Sequence, residues 1–285
     1  MKLKKASIIV LLIILSLLVI VGIILYNFIG PGSKDIKASK EFISKLYSIN
    51  AISNEFSLES IKYERGRVLN NDKKMVSKSI VTQNYGIDLD KNNNVIGFTK
   101  KEIPVNTTKI SLKDATILAD SYIKKIYDGE VILKSINDNM DESTLPYYSF
   151  VYTKQKNGYA FYFDEIKVNI DKENGFLDGY SNSTMQKESK EPTINISEEK
   201  AKKIALETFE KYNNSGEARN NVELVYANNR MDKKENQIYE VCYVVTTDGK
   251  NDKGSYISWK IFVSAENGTI LNILKDGAEE EVVTN

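Results

Sequence analysis

The chain has 285 residues, with 39 basic and 39 acidic side chains, one cysteine and no histidine. Without histidine there is no Ser-His-Asp or Cys-His pair and no two-His zinc site, and the lone Cys242 excludes a thiolate cage and an intramolecular disulfide. Balanced charge gives no reason to expect nucleic acid as a partner, and the length allows one or two domains with real cores.

Residues 1–5 carry Lys2, Lys4 and Lys5, and 6–29 then run without a charge. As a helix rising about 1.5 Å per residue that run is about 36 Å long, enough to cross a bilayer. It predicts an uncleaved transmembrane anchor. A cleaved signal peptide is the rival, but it would have a shorter apolar region and a small-residue cleavage site. The preceding lysines place the N-terminus in the cytoplasm and the bulk of the chain outside, as a single-pass protein of the cell membrane. The exported part is then slightly acidic, with no field to attract a polyanion. Residues 30–37 form a short linker.

A hairpin pattern then occurs three times, at Tyr85–Phe98, Ile166–Gly179 and Trp259–Asn272, aligned without gaps at offsets of 81 and 93 residues. Alternating pairs (Ile87 and Leu89, Val168 and Ile170, Ile261 and Val263) predict half-buried strands. Asn93-Asn94, Asn174-Gly175 and Asn267-Gly268 predict turns that need positive φ. Helices precede the second and third hairpins, each with a serine N-cap, Ser111 or Ser197. Their apolar faces are Ala115, Leu118, Ala119 and Tyr122, and Ala201, Ile204, Ala205 and Phe209. A shorter helix over 38–47, with Phe42, Ile43 and Leu46 inward, serves the first hairpin.

Further strands are expected at 147–153 and 159–163 around Asn157-Gly158, and at 237–246 and 256–263 joined through a loop containing Asp248-Gly249. The fold class is α+β: one helix packed on an antiparallel sheet, in tandem. The domains read as a partial unit over 38–104, a unit over 105–185, a polar linker over 186–193, a unit over 194–275 and a tail over 276–285.

Candidate sites are few. Asp88-x-Asp90-x-Asn92-x-Asn94 resembles the start of a calcium loop, but Asn93 replaces the glycine and Thr99 the bidentate glutamate, so it reads as a turn. Ser121–Lys124 and Ser197–Lys200 have Ser-x-x-Lys spacing without the companion motifs of acyl-enzymes. The acid pairs Asp141-Glu142 and Asp164-Glu165 read as surface groups, and Cys242 as a small core residue. No catalytic, cofactor or metal residue is assigned, and the chain reads as a non-enzyme. The 17 tyrosines exceed what the core needs, which marks Tyr148, Tyr152, Tyr159 and Tyr162 as candidates for contact with a partner.

The helix starts Ile110-Ser111 and Ile196-Ser197, with their closing Asn-Gly hairpins, resemble the PepSY family of exported domains. More narrowly, Tyr162–Asp171, Asn174-Gly175 and Gly179, Ile196–Ala201, Cys242-Tyr243 and Trp259–Gly268 resemble the repeats of the YpeB-like family of spore-germination proteins. That resemblance implies a membrane-anchored regulator without catalytic activity, one that stabilises or inhibits a cell-wall hydrolase or a peptidase. An accessory sensory ectodomain acting on a membrane kinase is the alternative.

Overall fold

The computed structural model describes residues 2–28, 30, 33–53, 57–68, 75–102, 108–137, 145–184, 188–229 and 238–275. The fold is α+β, and the described elements recur in three rounds of one helix followed by four strands. After α1 (Lys2–Phe28), the first round is α2 (Lys34–Ser48), β1 (Glu64–Arg65), β2 (Lys78–Val81), β3 (Tyr85–Leu89) and β4 (Val95–Lys100). The second is α3 (Leu112–Ile126), β5 (Glu130–Asn137), β6 (Tyr147–Lys156), β7 (Tyr159–Asp171) and β8 (Leu177–Asn182). The third is α4 (Glu198–Glu210), β9 (Ser215–Asn228), β10 (Tyr239–Lys250), β11 (Tyr256–Ser264) and β12 (Ile270–Lys275). Within each round successive strands pair.

The expected transmembrane helix is corrected by the structure. No helix among the described residues is long and apolar enough to cross a membrane.

The three rounds fold into two compact units. Unit 1 takes residues 1–128, 135–151 and 166–183; unit 2 takes 129–134, 152–165 and 184–285. The second round is therefore divided, and the chain passes from one unit to the other within β5, β6 and β7.

In unit 1 the strands run β1-β2-β3-β4-β8, followed by the C-terminal part of β7, all antiparallel. Helix α2 extends the expected 38–47 by one turn at its start and buries Ile36, Phe42, Ile43 and Leu46. Phe42 meets the rings of Phe98 and Tyr180 at 5.9 and 6.1 Å, which seats the helix over β4 and β8. Ser111 caps α3 as expected, accepting from the Asp114 amide at 3.1 Å. The Tyr122 hydroxyl at the far end of α3 shares its one hydrogen between the carbonyls of Asn50 and Gly175, at 3.1 and 3.2 Å.

In unit 2, β9 to β12 form an antiparallel meander, and the start of β7 pairs with β9 in parallel through Ala160–Val225 and Phe161–Tyr226. That parallel pair departs from the antiparallel expectation. Helix α4, capped by Ser197, lays Ala201, Ala205 and Phe209 on Val241, Tyr243, Val245, Trp259, Ile261 and Val263. The two alanines let the helix approach the sheet closely. A second apolar cluster contains Val225, Ala227, Cys242, Val244, Phe262 and Leu271. Strand β10 is thus buried on both faces, which suits its run of β-branched and aromatic residues.

Two turn expectations are also corrected. Asp248-Gly249 lies inside β10, and the connection to β11 is 251–255, with Gly254 at φ 80°. Glycine is needed at 249 because the Phe209 ring packs there and a Cβ would run into the Ser215 carbonyl oxygen. The three hairpins share a bulge at one position, after Asp88, Asn169 and Phe262. They do not align without gaps, however: Asp88 faces Gly97, nine residues on, whereas Asn169 faces Gly179 and Phe262 faces Asn272, each ten residues on. The first turn is one residue shorter, so Asn93, and not Asn94, takes the positive φ held elsewhere by Gly175 and Gly268.

Candidate interaction surface

A clamp of backbone bonds recurs between rounds and sets what the tyrosines can do. The amides of Lys109 and Ile110 both donate to the Lys172 carbonyl at 2.9 Å, and those of Asn195 and Ile196 to the Ala265 carbonyl at 2.9 and 3.0 Å. Each clamp ties the entry of a helix to the tip of its own hairpin. A tyrosine closes each one: the Tyr148 hydroxyl donates to the Ile110 carbonyl at 3.1 Å, and the Tyr243 hydroxyl to the Ile196 carbonyl at 2.8 Å. The Lys172 ammonium lies 4.9 Å from the centre of the Tyr148 ring.

The other three candidate tyrosines lie in unit 2, apart from Tyr148 in unit 1. Tyr152 is in the core, 2% exposed. Tyr159 is half-buried and sits edge-on to Tyr226 at 6.2 Å, against the cluster under α4. Tyr162 packs on the opposite cluster, edge-on to Phe163 and Phe262 at 5.1 and 4.8 Å. Lys134 lies 5.3 Å from the centre of the Tyr162 ring and forms an ion pair with Glu165 at 2.8 Å. With side chains alternating along β7, residues 159 and 162 point to opposite faces, so the four tyrosines do not form one patch.

The tyrosines that unit 2 does present are Tyr212 and Tyr256, 66% and 82% exposed. Tyr212 follows α4 and its ring is 6.1 Å from that of Trp259, over which Lys275 sits at 4.5 Å. Tyr256 opens β11, with the Lys250 ammonium 4.9 Å from its ring centre. Strand periodicity gives no notice of either, because Tyr212 lies just past α4 and Tyr256 at the first position of β11.

The remaining candidates have local structural roles. Asp88 lies on β3, while Asp90 accepts from the amides of Asn92 and Asn94, both at 2.8 Å, and so shapes its own turn. Ser197 is the cap of α4, accepting from the Lys200 amide; Ser121 is half-buried within α3. Asp164 is buried and accepts from the Tyr239 hydroxyl at 3.0 Å. Asp141-Glu142 lies outside the described residues. Cys242 is fully buried and burial pushes its thiol well above the ordinary range, which suppresses the nucleophilic thiolate.

Two charged clusters in unit 1 are not among the sequence candidates. Asp35, buried near the start of α2, accepts two bonds from Arg65, at 2.8 and 3.0 Å, and the same guanidinium reaches Ser33 at 2.9 Å. Burial pushes the Asp35 carboxyl up, but the bonds from Arg65, Ser33 and the Ile36 amide outweigh it and hold the group at about 2. Asp171, 1% exposed, accepts from the Glu173 amide and the Asn174 carboxamide and lies 3.6 Å from the Lys100 ammonium. Asp178 is buried nearby; desolvation and the Asp171 charge push it up to about 6, with Lys100 pulling the other way.

The repeated helix and four-strand unit, with a clamped hairpin in the second and third rounds, define a class of protein: a tandem α+β repeat. The chain matches no protein-family profile and no curated protein sequence. Among solved structures it is similar to the YpeB C-terminal domain of Bacillus megaterium, with a TM-score of 0.50 and 17% identity over 85% of this chain and 97% of that one. The fold is YpeB-like.

Proposed function

We propose that the chain is a non-enzymatic regulator that binds another protein, a cell-wall hydrolase or a peptidase, and stabilises or inhibits it outside the cytoplasm. The observation that carries this reading is the YpeB-like fold, found independently of the PepSY-like and YpeB-like sequence features at the helix entries and hairpin tips. The commitment of polar groups to scaffold supports it: the serines of interest cap helices or lie within them, the one thiol is buried, and Tyr148 and Tyr243 close clamps. Tyr212 and Tyr256 are exposed, and each offers the large rigid ring with a polar tip that interfaces favour.

The test is crosslinking of the tagged full chain in its host, followed by identification of what is captured, with Tyr212→Ala and Tyr256→Ala as comparison chains. The expected result is enrichment of one hydrolase or peptidase that the double substitution weakens at least tenfold. Release of sugar or peptide fragments from cell wall by the purified chain alone would overturn the reading, as would capture of no protein under several crosslinking chemistries.

A further inference from the structure

The shared bulge gives the three hairpins a common slot, the residue left between the last two register pairs. It is Ile96 in the first round, Asp178 in the second and Leu271 in the third. In the third round the slot holds a buried aliphatic side chain, Leu271, 2% exposed and part of an apolar cluster, and in the first the half-buried Ile96. Asp178 places a carboxyl there, 9% exposed.

The slot lies at the seam where β8 meets β4. Gly97, Phe98 and Thr99 pair with Ser181, Tyr180 and Gly179, and continuing that register sets Lys100 opposite Asp178. The charged groups around Asp178 on the two strands flanking β8 are Lys100 on β4 and Asp171 at the end of β7. Lys100 is already engaged, 3.6 Å from Asp171 and 3.4 Å from Glu102. One lysine therefore serves three carboxylates.

We propose that Asp178 makes the β4–β8 seam of unit 1 respond to pH. Neutral, it occupies the buried slot without adding a charge beside Asp171, and the short seam is closed. Ionised, it is a second buried carboxylate beside Asp171 with one shared cation, and the seam loosens. The high titration point of Asp178 agrees with this, placing the change near pH 6. Burial of an uncompensated charge is the driving force, so the response belongs to this round alone: Ile96 and Leu271 carry nothing to ionise.

Amide hydrogen exchange on the full chain, corrected for intrinsic chemical rates, tests the proposal. Between pH 5 and pH 8 the protection of the seam amides, residues 97–99 and 179–181, is expected to fall at least tenfold, while β10 and β11 of unit 2 stay constant. In Asp178→Asn, and in Asp178→Leu, which copies the third round, the fall should vanish. Lys100→Met should move the midpoint to higher pH. An equal loss of protection in the wild type and both Asp178 variants, or no loss in the wild type, overturns the proposal.

Discussion

Tyr148 and Tyr243 perform the same task in successive rounds of the fold: each hydroxyl donates to the carbonyl one residue before a helix cap, Ile110 or Ile196. The difference between them is burial. Tyr243 is 6% exposed, whereas water can reach the half-buried Tyr148. Tyr243→Phe should therefore cost about 1–2 kcal/mol, because the Ile196 carbonyl loses a buried donor, and Tyr148→Phe less than about 1 kcal/mol. Urea denaturation of the two variants checks the order; a larger loss for Tyr148→Phe would show that the clamp is unequal in the other sense.

The hairpin glycines are constrained for two reasons that substitution can separate. A Cβ at Gly175 would lie 2.7 Å from Leu118 Cδ1, and at Gly268 2.9 Å from Ile204 Cδ1, whereas at Gly158 it would meet nothing within 4 Å. All three have positive φ. Gly158→Ala should cost only the left-handed backbone penalty, about 1–2 kcal/mol, and Gly175→Ala and Gly268→Ala should cost more because the helix must also shift. Adding Leu118→Ala to Gly175→Ala should relieve the collision; thermal melts of the double and single variants report it as a coupling between the sites.

Asp35 and Asp178 give unit 1 opposite pH dependences. Asp35 is held low, so its contribution is present above the unfolded carboxylate value of 3.8 and is lost as pH falls through about 2. That contribution is about 2–3 kcal/mol at 1.36 kcal/mol per unit. Asp35→Asn should destabilise the chain at pH 7 and approach the wild type near pH 2, as read from denaturant midpoints.

For Asp178 the sign reverses. Its folded value of about 6 exceeds the unfolded 3.8, so between these the folded state holds the extra proton and stability declines as pH rises. Asp178→Asn should match the wild type near pH 4 and exceed it above pH 7 by up to about 3 kcal/mol, following the same constant. A variant no more stable than the wild type at pH 8 would mean that Lys100 fully compensates the ionised group.

Local chemistry made much of this legible in the sequence. Ser111 and Ser197 cap helices because a serine before an apolar 3.6-residue period has one outstanding use, and the alanine faces of α3 and α4 follow from the same period. Long-range events were not legible. The parallel pairing of β7 with β9 joins residues 65 apart, as in Ala160–Val225, and no alternation encodes it. The correspondence of Asp178 with Ile96 and Leu271 is hidden in a gapless alignment, because the first turn is one residue shorter. Abundance and strand position point to Tyr148 and Tyr152, but the geometry spends both on scaffold while leaving Tyr212 and Tyr256 in the open.

The parallel strand at the edge of β9 bears on how the protein can be dissected. The polar stretch at 186–193 invites a cut, yet unit 2 includes 152–165, and Phe161 from that segment stacks on Tyr226 at 4.7 Å and meets Tyr239 at 5.1 Å. A fragment beginning at residue 188 would keep its helix and meander but expose a bare β9 edge beside two uncovered aromatic rings. Such a piece would self-associate through that edge, and supplying residues 152–165 as a separate peptide would be the natural way to keep it monomeric.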